Sequence, residues 1–234
     1  MKELSYYFKH IDEFSEKDIF KDTKFVWEPL NKLDNYLNQK VVSKNLKINN
    51  ATTGEFCCIT GNYIIGVGTK IGANTTIEGP VIIGKNVTIQ SGALIRPGTI
   101  IGDNVVIGHG CEAKHSIIQN NAKVQSFTFC GDSIIGKSSR IGSGTILANR
   151  RFDQKNIQIK ENEEKYDTNL QFFGAIIGDS SRLGANCTTS PGTCVGSYTW
   201  VLPGIKLWGF IPEEKRLIPQ KEYIVTDNPK VELK

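Results

Sequence analysis

Isoleucine recurs at every sixth position through the middle of the chain. The unbroken series is Ile59, Ile65, Ile71, Ile77, Ile83, Ile89, Ile95, Ile101 and Ile107. A fixed short period is typical of repeat architectures, in which each turn of chain stacks on the previous one and buries a shared core. From Ile65 onward, the position four residues after each isoleucine is small or β-branched, and glycine often follows the isoleucine. Three such hexads predict one 18-residue coil of a triangular prism with glycine at its corners.

The repeat slips by one residue after Ala113 and again before Ile135, and it ends in a last run from Ile177 to Val201. We therefore predict six or seven coils over residues 59–206, or a prism about 30 Å long at the usual spacing of stacked strands. The composition agrees, because 29 Ile against 13 Leu and one Met favours strands over helices. The predicted fold class is all-β, a single-stranded parallel β-helix.

Three regions follow from the limits of the repeat. Residues 1–46 are predicted to form a helical cap or linker over the open end of the prism, since Trp27, Leu30 and Leu33 have near-helical spacing. Residues 47–206 form the β-helix, with a polar insertion at 149–174 in which residues 155–160 alternate like a strand of a protruding hairpin. Residues 207–234 are a tail packed on the last coil, with a strand at 222–225.

Composition narrows the class of protein. The chain has no apolar run of about 18 residues and no signal-like start, which predicts a soluble, cytoplasmic protein without membrane contact. It also has no Lys/Arg run, so no nucleic-acid partner is predicted. The six cysteines form no C-x-x-C pair and are expected to be free thiols. Cys111, Cys130 and Cys187 fall at core positions, whereas Cys194 is expected to be exposed. With two histidines in the prism, no metal site is predicted.

Three segments carry a family resemblance: Ile95–Gly98, Glu112–Lys114 and Thr128–Gly136. In order and spacing they are similar to the acetyltransferase half of the bifunctional glucosamine-1-phosphate acetyltransferase / N-acetylglucosamine-1-phosphate uridylyltransferase family. Asn149–Asp153 and Gly174–Asp179 resemble its archaeal-type sugar-1-phosphate nucleotidylyltransferase relatives. The resemblance covers about residues 25–210 and implies a left-handed β-helix that assembles as a homotrimer. The Gly-rich nucleotidyltransferase half is missing, so a nucleotidyltransferase is expected to be a separate partner.

The resemblance also implies an activity and a set of site residues. The activity is acyl transfer from acetyl-CoA or another acyl-CoA to a sugar phosphate or nucleotide sugar in UDP-N-acetylglucosamine biosynthesis, with no metal required. The phosphate-binding arginine and lysine of the family correspond to Arg96 and Lys114. Other substrate positions correspond to Phe129 and Arg140. The residues expected to bind acyl-CoA, in a groove between neighbouring prisms, are Asn149, Arg150, Ser143 and Ala185.

The catalytic positions depart from the family pattern. Ser126 stands where the family has its histidine, Phe129 replaces a tyrosine, and Arg140 replaces a helper asparagine. A serine cannot act as a base near neutral pH without its own activator. His109 and His115, which lie near Lys114 in the sequence, are the candidate substitutes. Two hypotheses stay open: an acyltransferase, or a non-catalytic protein that binds a sugar phosphate or nucleotide sugar or serves as a trimeric scaffold.

Overall fold

The structure, a computed structural model, describes residues 2–161 and 164–220. Its main body is a left-handed parallel β-helix with three sheets along its length. Each strand pairs in parallel with the strand one coil earlier and one coil later, so that Ile100 lies between Ile82 and Ile117. The fold class predicted from the hexads is confirmed.

Counted over the described residues, the three sheets have nine, nine and eight strands. Those of sheet A are Lys47–Asn49, Tyr63–Ile65, Val81–Ile83, Thr99–Ile101, Ile117–Ile118, Ile134–Ile135, Ala175–Ile177, Thr193–Val195 and Phe210–Ile211. Sheet B has nine: Thr52–Thr53, Lys70–Ile71, Thr88–Ile89, Val106–Ile107, Lys123–Val124, Arg140–Ile141, Arg182–Leu183, Trp200–Val201 and Arg216–Leu217. Sheet C has eight: Cys58–Thr60, Thr76–Glu78, Leu94–Ile95, Glu112–Lys114, Phe129–Gly131, Ile146–Leu147, Thr188–Thr189 and Lys206–Leu207.

The hexad isoleucines form the core inside the prism. From Ile65 to Ile107 they are all buried, as are the small residues that share the coil with them. Buried threonines hydrogen-bond to the next coil, as where the Thr69 hydroxyl donates to the Gly84 carbonyl at 2.9 Å. Each buried isoleucine contributes at most about 1.5–3 kcal/mol relative to an exposed one. The stacked columns therefore stabilise the prism without an internal helix.

The prism is longer than the hexads predicted. Nine strands in sheets A and B replace the expected six or seven coils, and at about 4.8 Å per strand the prism is about 38 Å long. The predicted boundary at residue 207 is wrong, because Phe210–Ile211 and Arg216–Leu217 continue sheets A and B. The hexad pattern did not predict these last strands, because the spacing of apolar residues after Val201 is irregular. The predicted strand at 222–225 lies outside the described residues.

The N-terminal segment contains two α-helices, α1 (Leu4–Tyr7) and α2 (Glu28–Leu37), two short 3-10 helices at Ile11–Glu13 and Lys17–Phe20, and a π-helical turn at Asn38–Val42. This segment packs along the outer face of sheet A, where Trp27, Leu30 and Leu33 join one apolar cluster with the outward-facing isoleucines. The prediction of a cap over the open end is wrong. Sheet A carries paired isoleucines such as Ile82–Ile83 and Ile100–Ile101, and since alternate residues face opposite sides, its outer face is also apolar and must be covered.

The insertion forms an antiparallel hairpin of strands Gln158–Glu161 and Glu164–Asp167. It does not protrude freely, because Ile157, Ile159 and Phe173 are buried in the same cluster as the N-terminal segment. The Tyr166 and Phe25 rings lie 5.4 Å apart. Hairpin and N-terminal segment thus form one layer over sheet A. No helix in the described part of the chain has the length and apolarity needed to cross a membrane.

Candidate functional site

A cavity of about 450 Å³ opens at the edge of the prism where sheet C meets sheet A. Helix α2 and the end of the insertion form its outer wall, and the corners of successive coils form its floor. Its lining residues are Asp34, Pro80, Arg96, Pro97, Gly98, Lys114, His115, Asp132, Asn169, Leu170, Gln171 and Phe172. The cavity therefore joins residues that are far apart in the sequence.

Two cations on successive coils face this cavity. Arg96 and Lys114 each follow a residue buried inside the prism, so their side chains point outward. The Arg96 Nη1 donates to Glu112 Oε1 at 2.8 Å. The Lys114 Nζ lies 3.4 Å from Asp132 Oδ2 and 4.6 Å from the centre of the Phe172 ring. Both predicted phosphate-binding cations are thus in one cavity. Each already pairs with a carboxylate, so an anionic ligand must compete with that carboxylate for the cation.

Asp132 connects the polar groups of the cavity. Its side chain is only 6% exposed. Oδ2 accepts a hydrogen bond from Asn149 Nδ2 at 2.6 Å as well as from Lys114, whereas Oδ1 lies 3.2 Å from Nδ1 of His115. Asn149, which the family resemblance assigns to acyl-CoA, therefore contacts the carboxylate beside the cations.

His115 lies at a corner of the prism, between two carboxylates. Its φ of +45° is the left-handed conformation that other corner residues such as Asn121 and Asp132 also adopt. Its Nε2 lies 3.4 Å from Asp34 Oδ1 on helix α2. The ring packs on Gly98, where an added Cβ would lie 2.6 Å from the His115 Cδ2. Gly98, with φ of +80°, is therefore needed both for the corner and for the close approach of this ring.

The remaining candidates stack along a different edge, between sheets B and C. Successive coils are joined there by hydrogen bonds from Phe127 N to the His109 carbonyl, from Gly144 N to the Ser126 carbonyl and from Asn186 N to the Ser143 carbonyl. Ala185 continues this column, since its carbonyl accepts from Gly204 N.

The width of sheet C separates this edge from the cavity. Five residues run from Ser126 to Gly131, which pairs with Lys114, a distance of about 16 Å in extended chain. The His109 Nδ1 lies 2.6 Å from the Ser91 carbonyl oxygen, on the far edge. Of the two histidines that lie near Lys114 in the sequence, the structure places His115 in the cavity, whereas the strand Glu112–Lys114 separates His109 from it.

Phe129 and Arg140 are on the outer faces of two sheets. Phe129 lies on sheet C, paired with Glu112, and does not line the cavity. Arg140 lies on sheet B between Lys123 and Arg182. Within one chain, the expected grouping of Arg140 with Arg96 and Lys114 does not form, because the two groups point from different faces of the prism.

The structure has a second cavity of about 560 Å³. It is lined by Ala148, Arg150, Arg151, Phe152, Asp153, Thr188, Thr189, Ser190 and Pro191. Phe172 connects the two, since the Arg150 guanidinium lies 5.5 Å from the ring that also covers Lys114. Arg151 is paired with Asp153, and the pairing raises the pKa of Arg151 and lowers that of Asp153. Of the four residues expected to bind acyl-CoA, Arg150 alone lines this cavity.

Comparisons with known proteins identify the family. The GMPPB C-terminal domain matches residues 77–163, and the hexapeptide repeat of succinyl-transferase matches residues 174–197. YaiX of Escherichia coli strain K12, whose name describes it as an uncharacterized acetyltransferase, is 32% identical over 173 residues, which are 74% of each chain. This chain belongs to the hexapeptide-repeat acyltransferases.

The bifunctional protein GlmU of Methanococcus maripaludis strain S2 is 35% identical over 210 residues, 90% of this chain and 50% of that protein. This hexapeptide-repeat acyltransferase therefore spans half or less of the length of the GlmU proteins that it matches. A solved UDP-N-acetylglucosamine acyltransferase from Francisella novicida is 19% identical, with a TM-score of 0.44 over 69% of this chain and 60% of that one.

Three site residues of this hexapeptide-repeat acyltransferase were missed from sequence. Asp132 lies within the Thr128–Gly136 motif, so its position was available there. Asp34 and Phe172 reach the cavity only because α2 and the insertion fold back over sheet A, and no local pattern indicates this. Among the described residues, no group of three His, Cys, Asp or Glu side chains is arranged to hold a metal ion.

Proposed function

We propose that the protein transfers an acyl group from an acyl-CoA to an amino-sugar phosphate. The observation that supports this most is that Arg96 and Lys114 line the same cavity, together with the carboxylate of Asp34. An arginine fork and a lysine point charge together suit a phosphate. A carboxylate in the same cavity suits an ammonium group. A ligand with a phosphate at one end and an amine at the other matches both kinds of charge.

The acyl donor is proposed to occupy the second cavity. Phe172, which lines the first cavity, contacts Lys114 in that cavity and Arg150 of the second. A donor bound beside Arg150 would place its thioester next to the acceptor. The cationic side chain of Arg150 also suits the phosphates of a coenzyme A moiety.

A homotrimer would complete this site. Ser143 and Ala185 lie on the edge opposite the first cavity, so one chain cannot bring them to the donor. Prisms packed around a threefold axis place the edge of one copy beside the edge of the next. We propose that the Ser143 edge of a neighbouring copy flanks the donor.

The second candidate function is a non-catalytic protein that binds a sugar phosphate or nucleotide sugar, or a trimeric scaffold. Ser126 favours it, because the side chain at the family's histidine position has no imidazole. The same cavity would then hold the ligand without turnover.

One assay separates the two functions. Release of the CoA thiol is measured with acetyl-CoA and glucosamine 1-phosphate, and binding of the sugar phosphate is measured by calorimetry. The transferase predicts thiol release that requires the sugar phosphate. Binding without thiol release would support the non-catalytic alternative and contradict the transferase.

The phosphate assignment has its own variant. Arg96→Ala should weaken glucosamine 1-phosphate binding about tenfold to a hundredfold, the usual effect of losing a charged hydrogen bond. Arg216→Ala, which removes an exposed arginine on sheet B, is the matched control and should bind like the wild type. Unchanged affinity in Arg96→Ala would show that the phosphate binds elsewhere.

A further inference from the structure

We infer that His115, oriented by Asp132, is the general base that removes the proton from the acceptor, in place of the residue missing at Ser126. This inference rests on the proposed function and assigns its missing catalytic residue. It follows from the position of the ring in the cavity rather than from the position of the family histidine.

The two carboxylate oxygens of Asp132 contact different groups. Oδ2 is occupied by Asn149 Nδ2 at 2.6 Å and by Lys114 Nζ at 3.4 Å. Oδ1 is left facing Nδ1 of His115 at 3.2 Å. A buried carboxylate on one ring nitrogen fixes the orientation of the imidazole and stabilises its charged form, while the other nitrogen remains available. Asn149 and Lys114 hold this carboxylate in place, which makes them and Asp132 positioning residues.

The His115 ring is carried by a corner of the prism. Its backbone adopts a φ of +45°, as Phe127 and Asp132 do at other corners with φ of +58° and +48°. The Nδ1 atom is buried and makes no hydrogen bond, although Asp132 lies within reach. Catalytic hydrogen bonds are often poorly aligned in an empty site and tighten when substrate binds.

The second ring nitrogen faces the space that the acceptor would occupy. Nε2 lies 3.4 Å from Asp34 Oδ1, and the Asp34 side chain is 84% exposed, so a ligand can displace it from the imidazole. Arg96 and Lys114 line the same cavity. A phosphate held by these cations would leave the amine of the same sugar near Nε2.

The chemical step balances without any further reagent. The acceptor ammonium first releases one proton to solvent, because only the free amine has a lone pair. The amine nitrogen then attacks the thioester carbonyl of the acyl-CoA, and the new N–C bond forms as a second proton passes from nitrogen to His115 Nε2. The C–S bond then breaks, and the coenzyme A thiolate takes up this proton to leave as the thiol. The imidazole returns to its neutral form.

The test uses two substitutions that the backbone can accept. Asparagine tolerates the left-handed conformation, so His115→Asn should retain the fold. We expect its kcat for thiol release to fall about 10²- to 10⁴-fold, the usual contribution of a general base, with the KM for glucosamine 1-phosphate nearly unchanged. His115→Gly leaves space for a free base, and added imidazole should restore part of its rate. A merely structural histidine would not show such rescue.

Asp132→Asn tests the positioning role. It should lower kcat in the wild-type background but have a much smaller effect in His115→Gly rescued with imidazole, because no tethered ring remains to be oriented. Equal losses in the two backgrounds would contradict this role.

The kinetics distinguish an error in the base assignment from an error in the proposed function. His10→Asn, on the N-terminal segment, is the control and should keep wild-type kinetics. If the wild type releases thiol and His115→Asn does so at the same rate, the base assignment is wrong while the proposed function stands. Loss of turnover in His109→Asn instead would place the base on the other edge. A wild type that binds the sugar phosphate and never releases thiol overturns both.

Discussion

At the scale of single residues, the position within a coil decides the chemistry of a side chain. Cys130 points into the prism, and burial raises the pKa of its thiol to about 12. Burial also raises the thiol pKa of Cys111 and Cys187. Cys194, expected to be exposed, is buried, because it points outward from sheet A beneath the N-terminal layer. Among the six cysteines, Cys58 is exposed, Cys57 is half-buried and the other four are buried.

Thiol labelling of the native protein should therefore modify Cys58 rapidly, Cys57 more slowly and the other four only after unfolding, since a buried thiol with a raised pKa contains little reactive thiolate. Mass spectrometry of labelled peptides measures this. Labelling of Cys194 as fast as that of Cys58 would show that the N-terminal layer does not cover sheet A.

At the scale of elements, the N-terminal segment is tied to the prism by both polar and apolar contacts. Asn120 donates from Nδ2 to the Glu13 carbonyl at 2.9 Å and accepts from Asp103 N at 2.9 Å. Trp27 is 1% exposed within the apolar cluster. Because α2 carries Asp34 into the cavity, docking of this segment also completes the site.

Trp27→Ala should lower the free energy of unfolding by about 3–5 kcal/mol, the usual cost of deleting a large buried aromatic side chain. Trp208→Ala is the matched control, because Trp208 is 71% exposed, and should change stability by less than about 0.5 kcal/mol. Urea unfolding followed by circular dichroism measures both. Equal effects would contradict the docking of this segment on sheet A.

Asp179 makes the docked layer sensitive to pH. Its carboxylate accepts from His10 N and Lys137 N at 3.1 and 2.8 Å, yet burial outweighs these bonds and raises its pKa. The folded state then binds the proton more readily than the unfolded chain. The contribution of this group to stability is largest below the unfolded pKa of about 3.9 and declines as the pH rises through the folded pKa. Asp179→Asn should therefore reduce the dependence of the free energy of unfolding on pH above about pH 3.9. Urea unfolding at a series of pH values measures this, and the same dependence in wild type and variant would contradict the role of Asp179.

At the scale of the whole molecule, residues 2–161 and 164–220 cover one face of the prism and leave the other two open. The open faces carry exposed apolar side chains, among them Ile146 on sheet C, Trp200 on sheet B and Phe127 at the edge between them. Large apolar groups grouped on open faces indicate an association surface. The homotrimer proposed for the site would bury them.

Light scattering should therefore give a mass of about 78 kDa, three times the 25.9 kDa of one chain. Trp200→Glu places a charge in the proposed seam and should shift the protein toward monomer, whereas Phe56→Glu, at an exposed position in the first coil, should not. A wild-type monomer would contradict the shared site.

The core could be predicted from the hexads, because the same position of each hexad points into the prism and is buried. The same logic placed Arg96 and Lys114 outward on one edge. Two features could not be predicted from the repeat. Paired residues such as Ile117 and Ile118 make sheet A apolar on both faces, but the hexad pattern explains only the residue that points into the prism. The wall formed by Asp34 and Phe172 depends on long-range docking, which leaves no periodic trace.

A crystal structure with glucosamine 1-phosphate and coenzyme A tests the central claim most directly, because the claim concerns where each ligand binds. We predict the phosphate within hydrogen-bonding distance of Arg96 and Lys114, the amine beside Nε2 of His115, and coenzyme A along the cavity of Arg150. A sugar phosphate bound on the Ser126 edge, or a protein that takes up neither ligand, would contradict the account.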